Sequence, residues 1–313
     1  MNRTELRERI LQKAGELGFC AAGIAAPGKM EQPARMLEMM VAEGRHGQMT
    51  WLATQKNERR NPSLLFPNLT SVLCVAYPAA AHKEKTNPYL ARYALREDYH
   101  AVMKRKLGLL LQTIEELSDT PVKGMACVDS SPVFEKAWAE RAGILRTGKH
   151  TLGIIPGWGS NIMLGELLLD MHLEPTTTDV TDPCAHCNRC LQACPTGALT
   201  VAGRIDARKC IAYLTIEHKG EFSEKEEKMI GTHLFGCDIC QDACPHNGQA
   251  GSVTDQTTTS AVREPLLELT PEKVITLTRS SFKALCAGTP IYRTGLKRLK
   301  RNARAVLKNR DVL

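Results

Sequence analysis

No run in this chain approaches the ~18 consecutive apolar residues that span a bilayer, which argues against a membrane-crossing helix. The N-terminal stretch MNRTELRERI is charged and amphipathic and lacks an apolar h-region, so no secretory signal is expected. A Rossmann glycine fingerprint and a Walker A motif are missing, and so are low-complexity tracts. What remains is an ordinary globular composition. The 313 residues are 43% hydrophobic, enough for one large domain or two to three smaller ones. Twelve cysteines without an export signal point to thiols in a reducing cytoplasm rather than disulfides.

Eight of those cysteines lie between positions 184 and 244, and their spacing is the most specific signal present. The first run is Cys184-x2-Cys187-x2-Cys190-x3-Cys194-Pro195, the spacing of bacterial ferredoxins. The second, Cys237-x2-Cys240-x3-Cys244-Pro245, repeats the last three positions, with Leu234 where a fourth cysteine would stand. Cys210 is the only nearby replacement. In ferredoxins the cysteine before the proline ligates the other cluster. The crossed arrangement gives one set of Cys184, Cys187, Cys190 and Cys244, and another of Cys194, Cys210, Cys237 and Cys240. Two 4Fe–4S clusters use all eight, and the expected chemistry is one-electron transfer. Zinc is the competing reading, but structural zinc sites use separated Cys-x2-Cys pairs.

Upstream, helix and strand signals alternate. Residues 4–17 place Leu6, Ile10, Leu11, Ala14 and Leu17 on one face and stop at Gly18. Residues 20–25 and 71–78 read as apolar strands, 33–43 and 98–117 as helices, and 125–128 as a buried strand. Pro132 is expected to open a helix ending at Gly143, residues 161–172 supply a further strand or two, and 206–215 form a helix carrying Cys210 inward. The reading is an α/β (α+β) domain at 1–175, with helices covering a sheet. A ferredoxin-like two-cluster domain follows at 176–250, where ligation replaces a hydrophobic core. Residues 247–263 read as a polar loop, within a mostly helical segment at 251–313.

Net charge is +7, and much of it is concentrated in the last 21 residues. Lys297, Arg298, Lys300 and Arg301 lie on a stretch with no acidic residue between 293 and 310, and Leu296, Leu299, Ala303, Val306 and Leu307 recur at helical spacing. This is a basic amphipathic helix, read either as a solvated face packed on the domain or as a phosphate-contacting patch for a polyanion such as RNA.

Six further segments narrow the reading: HGQMTWL (46–52), RYALREDYH (92–100), VDSSPVFEKAWAERAGI (128–144), TGKH (147–150), CIAYLTIE (210–217) and FGCDICQDACP (235–245). In this order, over nearly the whole chain, they resemble the epoxyqueuosine reductase family, in a short form lacking most of the C-terminal helical repeats. The resemblance implies a cobalamin beside two 4Fe–4S clusters. It also implies reduction of the epoxide of epoxyqueuosine, at the wobble position of tRNA, to queuosine. Implied partners are tRNA carrying epoxyqueuosine and a low-potential electron donor of flavodoxin or ferredoxin type. A cytoplasmic monomer without membrane contact is expected.

The resemblance assigns Asp129, at the end of an apolar strand, as the acid that protonates the epoxide oxygen. That role demands a neutral carboxyl near pH 7, whereas an unperturbed aspartate titrates near about 3.9. Burial against a corrin would raise it. The competing role is an N-cap for the helix at Pro132. Arg59, Arg60, Tyr93, Gly153, Leu164 and Asp238 are further candidate cobalamin contacts, against structural roles for each. Lys149 reads as a phosphate contact or a carbonyl cap. Asp98-Tyr99-His100 begins like a cobalamin-binding motif, but Met103 stands where it needs glycine. His100 is therefore read as polar packing and Asp98 as an N-cap. Cys20, Cys74, Cys127 and Cys286 read as small buried hydrophobes. The alternatives are a related cobalamin iron–sulfur reductase of dehalogenase type, a ferredoxin-type electron carrier, and an RNA-binding protein with structural clusters.

Overall fold

Asn2 starts the first helix, Arg3–Glu16, with a capping box in which its side chain accepts from the Glu5 N–H while Glu5 reaches back. The chain then enters β1 (Ala21–Ala25), the helix Glu31–Ala42 and, after two short helices, β2 (Ser71–Pro78). Asp98 caps the long helix Tyr99–Leu117, accepting from the His100 N–H. After it come β3 (Gly124–Cys127), the helix Glu135–Arg141, a two-residue pairing of β4 (Arg146–Thr147) with β5 (Gly153–Ile154), and β6 (Ile162–Leu169). The computed structural model describes residues 2–80, 85–176, 180–248 and 260–311. Most of the loop expected at 247–263 lies outside them.

The main sheet runs β1-β2-β6-β3 and every pairing in it is antiparallel. The alternation of helix and strand therefore resolves into an α+β arrangement without parallel crossovers. All eight residues of β2 are buried, because both faces of the sheet are covered. Leu73, Val75, Tyr77, Leu167 and Leu169 pack beneath the helices Arg3–Glu16 and Tyr99–Leu117. Val72, Cys74, Ala76, Cys127 and Leu168 face the helix Glu135–Arg141 and its Trp138. This two-sided burial turns what would be an alternating strand into a continuous apolar run.

The cysteine-bearing segment does not dispense with a hydrophobic core, contrary to expectation. Ala207, Tyr213, Leu214, Ile230, Leu234 and Phe235 pack with Leu90, Ala94 and Leu95 and with Leu266, Val274, Phe282, Leu299 and Val306. The C-terminal helices thus share one core with the cluster segment. Asn87 reinforces the junction, its amide donating to the carbonyls of Leu266, Leu267 and Leu269.

The helix Leu296–Arg310 forms as expected, but its charges divide. Arg301 is not available to a polyanion. It is 4% exposed, donates to the carbonyls of Leu214, His218 and Gly220, and stacks over Phe222 at 3.8 Å. Arg298 is half-buried and bonded to the Ile216 carbonyl. Lys297 is exposed and Lys300 half-buried. Among the described residues no helix is long and apolar enough to cross a membrane.

Candidate active site

The two cysteine runs and Cys210 stand in neighbouring parts of the fold, and among the described residues no three His, Cys, Asp or Glu side chains converge as a single metal ion would require. Cys194, Cys210, Cys237 and Cys240 line one cleft of about 280 Å³, together with Tyr93, His150 and Asp238. The Cys237 and Cys240 thiols are pushed up to about 12 by burial first, with Cys210 and Cys194 among the neighbours adding to it. In the other expected set, Cys190 and Cys244 are raised by burial and by the nearby Cys184 and Cys187. Cys240 also feels Cys190, so the sets adjoin. Burial thus raises the Cys190, Cys210, Cys237, Cys240 and Cys244 thiols. Cys194, despite burial, is held below its ordinary value by the Thr196 hydroxyl and nearby backbone N–H groups. Such soft sulfur donors fit an iron–sulfur partner that stabilises thiolate.

Local structure places these thiols. Cys210 follows the short helical turn Ala207–Lys209 and stands at the N-cap of the helix Ile211–Ile216. Gly236, at φ +72°, lets the chain turn into Cys237, and a Cβ there would lie 2.5 Å from that of Ala91. Its N–H donates to the Thr215 hydroxyl at 3.0 Å. Lys149 caps carbonyls: its ammonium donates to Ala185 O at 2.8 Å and to Asn188 Oδ1 at 3.0 Å. Cys74, Cys127 and Cys286 are buried and Cys20 half-buried, all outside both sets.

Asp129 follows β3 in a left-handed turn, at φ +53°. It caps no helix. The next helix opens at Glu135, three residues later than expected, with Phe134 in the cap position. The carboxylate instead meets His100, with Nε2 2.8 Å from Asp129 Oδ2, while Nδ1 lies 2.6 Å from Asp98 Oδ1. A ring between two carboxylates favours imidazolium. Burial works against that charge, yet hydrogen bonds to Asp129 and Asp98 hold His100 above its ordinary value. Burial likewise pushes Asp129 upward, but the His100 hydrogen bond and charge, the Tyr99 hydroxyl and Arg293 hold it below the usual range. The protein's own groups thus favour the carboxylate, and the rise expected from burial against a corrin would have to work against them. The side chain is closely ringed by protein atoms yet 53% exposed, so solvent screens part of this effect.

The remaining candidates separate. Tyr93 is half-buried by accessible surface, its hydroxyl is raised by enclosure among protein atoms, and its ring meets Tyr99 edge-on at 6.1 Å. Asp238 lines the cleft and accepts the Arg92 N–H at 2.8 Å. Arg59 is buried behind the Asp129 loop, donates to the Val133 carbonyl at 3.1 Å and stacks over Trp51. Arg60 is engaged by Glu31 at 2.5 Å. Gly153 packs against Leu145, 2.7 Å from where its Cβ would stand, and Leu164 packs on the core beneath the helix Glu135–Arg141. Neither lines the cleft.

Three residues were missed from sequence. His100 was read as packing, though its place two residues after a capping aspartate was visible. Glu135 accepts the Asp129 N–H at 2.5 Å. His150 lines the cleft, is 3% exposed and accepts the Leu152 N–H at Nδ1. Its other nitrogen, Nε2, is buried and has no hydrogen-bond partner among the described residues. With Nδ1 accepting, Nε2 carries the hydrogen and is a donor awaiting an acceptor.

Comparison with known proteins now bears on this geometry. Residues 183–247 match the family model for a 4Fe-4S double cluster binding domain, and residues 59–130 match that for Epoxyqueuosine reductase QueG, DUF1730. The chain is 39% identical to an epoxyqueuosine reductase from Xanthomonas campestris pv. campestris, over 98% of this chain and 87% of that protein. It is 34% identical to the Escherichia coli enzyme of the same name, over 99% and 82%. A crystal structure of epoxyqueuosine reductase with an epoxyqueuosine-modified tRNA-Tyr stem loop aligns with TM-score 0.85 and 27% identity, covering 98% of this chain and 82% of that one. The Bacillus subtilis enzyme, with its catalytic aspartate loop swung out of the active site, aligns with TM-score 0.86 and 26% identity over the same shares. Motif order, fold and full-length identity agree, and the chain belongs to the epoxyqueuosine reductase family.

Proposed function

We propose that this chain reduces the epoxide of epoxyqueuosine in tRNA to the alkene of queuosine, releasing water. The observation that carries this reading is a proton-holding array, Asp98–His100–Asp129, whose charges reach Tyr93 in the lining of a cleft that also holds four cysteines. Reduction with loss of oxygen needs electrons and protons delivered to one place. In this reading residues 1–175 hold the proton machinery, 176–250 the electron path and 251–313 part of the tRNA footprint.

Cys184, Cys187, Cys190 and Cys244 would hold one 4Fe–4S cluster, and Cys194, Cys210, Cys237 and Cys240 the other. Ala185, His186, Asn188 and Arg189 are exposed around the first set, which suits electron entry from a flavodoxin- or ferredoxin-type donor. The second set faces the cleft. The apolar lining from Ala79, Ala80, Leu152, Ile162 and Met163, with the donor on His150, suits a corrin with amide arms. When bound, the clusters supply one-electron relay and cobalamin the reductive C–O chemistry.

The protein's own work is proton handling. Asp98 holds the His100 ring and favours imidazolium, and His100 keeps a proton 2.8 Å from Asp129. Desolvation of Asp129 by a bound apolar face penalises its carboxylate and draws that proton across. Asp129 is then a neutral acid at the moment the leaving oxygen needs one.

Anaerobic reconstitution with iron, sulfide and cobalamin tests the assignment. Asp129→Asn should bind all three groups yet lose about 10²–10⁴-fold in turnover of epoxyqueuosine tRNA. Near-normal turnover would remove Asp129 as the acid.

A further inference from the structure

The potential of an iron–sulfur cluster is set by more than its ligands. Hydrogen bonds to the sulfurs, net charge and solvent exposure move it over a wide range. The donors around each cysteine sulfur are therefore part of the electron path, and several gather at Cys194.

Cys194 leaves the short helix Arg189–Ala193 in an extended conformation. Pro195 comes next and has no N–H to offer. The chain then folds back. Gly197 takes a left-handed turn at φ +63°, and its N–H donates to the Cys194 carbonyl at 3.3 Å. The N–H groups of Thr196, Ala198 and Leu199 face the Cys194 sulfur from this turn. The Thr196 side chain joins them, with Oγ1 3.6 Å from Sγ. Thr196 is half-buried and lines the cleft together with Cys194, Cys210, Cys237 and Cys240. At Cys184 the donor is instead the Lys149 backbone N–H, at 3.4 Å. An amide is supplied by any residue but proline, whereas the bond at Cys194 depends on a hydroxyl at position 196.

Between a free thiol and a hydroxyl, either group can donate. A sulfur bonded to iron is a thiolate and has no hydrogen to give, so the direction is fixed from threonine to sulfur. Hydrogen bonds to charged acceptors are the stronger ones. Reduction adds one negative charge to a cluster, and the same bond then stabilises the reduced state more than the oxidised one.

We infer that the Thr196 hydroxyl donates to the iron-bound sulfur of Cys194 and raises the reduction potential of the cluster that faces the cleft. This rests on Cys194 being a cluster ligand, as proposed above. Thr196 is a positioning residue, since it acts through Cys194 and its proton stays on Oγ1. For each epoxide reduced, two electrons from the external donor pass the cluster one at a time, each gained and then given up.

The test is a redox titration of the anaerobically reconstituted chain, followed by the EPR signals of its reduced clusters. Thr196→Val keeps the shape and loses the hydroxyl, Thr196→Ala loses both, and Thr196→Ser keeps the hydroxyl. Val and Ala should each make one cluster harder to reduce and leave the other unmoved. At a fixed potential the reduced-to-oxidised ratio of the affected cluster should fall about 3- to 10-fold, the larger figure being about 59 mV for a one-electron couple. Ser should restore the wild-type value. Val and Ala variants with both wild-type potentials would overturn the inference, as would a Ser variant displaced as far as Val, or both clusters shifting alike. Loss of the cluster in every variant, Ser included, would make Thr196 a packing residue and also overturn it. Wild type holding about four iron atoms or none, in place of about eight, would instead remove the cluster reading beneath it.

Discussion

His100 shows how little of a residue's role is carried by its type. A histidine at the start of a helix is ordinarily polar packing. Here its two nitrogens meet carboxylates 31 positions apart in sequence, at 2.6 and 2.8 Å. Glu166 is the opposite case, a carboxyl in the apolar face of β6 with no hydrogen-bond partner among the described residues. Its folded-state value lies well above the ordinary glutamate value because burial penalises the charge. Such a group contributes stability that is fully present below its unfolded value and is lost as pH rises toward the folded one. Glu166→Leu should raise unfolding stability at neutral pH by about 1–3 kcal/mol. Its advantage over wild type should grow from about pH 5 to 8 in paired denaturant titrations, and a pH-independent difference would show that Glu166 is not forced neutral.

Among the elements, the helix Leu296–Arg310 most needs its charges sorted. Leu299, Asn302, Ala303 and Val306 form its buried row, and Arg301 flanks that row beside Ala305. Reading charge by type counts Arg301 as surface, whereas angular position puts its guanidinium among three carbonyls. Arg301→Ala should therefore cost about 1.5–3 kcal/mol or more in thermal or chemical unfolding, by stranding buried acceptors. The pair Lys297→Ala and Lys300→Ala should leave stability within about 0.5 kcal/mol. It should also weaken tRNA binding and lower the salt slope by about one per residue. An unchanged slope would take this helix out of the footprint. The strands and long helices were legible because their apolar periods are regular and their caps local. The late start of the helix at Glu135 was not, since the left-handed turn at Asp129 depends on contacts with His100 and Glu135.

At the scale of the whole molecule, the thiol spacing pointed to a double-cluster segment, in agreement with the family match at residues 183–247, because ligand order in a short segment is a local property. Their shared core with the C-terminal helices was not legible, since it joins residues from Leu90 to Val306. The proton array escaped notice for the same reason, its members meeting only when β3 packs beside the long helix. If the crossed sets are right, Cys210→Ser should lower iron from about eight to about four atoms per chain and leave the other cluster's spectrum intact. Loss of all iron, or of none, would contradict the division. The most direct measurement is mass spectrometry of an epoxyqueuosine-bearing tRNA stem loop after anaerobic incubation with the fully loaded protein and a one-electron reductant. Loss of one oxygen atom, giving queuosine, is predicted. Intact epoxyqueuosine, with both clusters and cobalamin verified in place, would contradict the account.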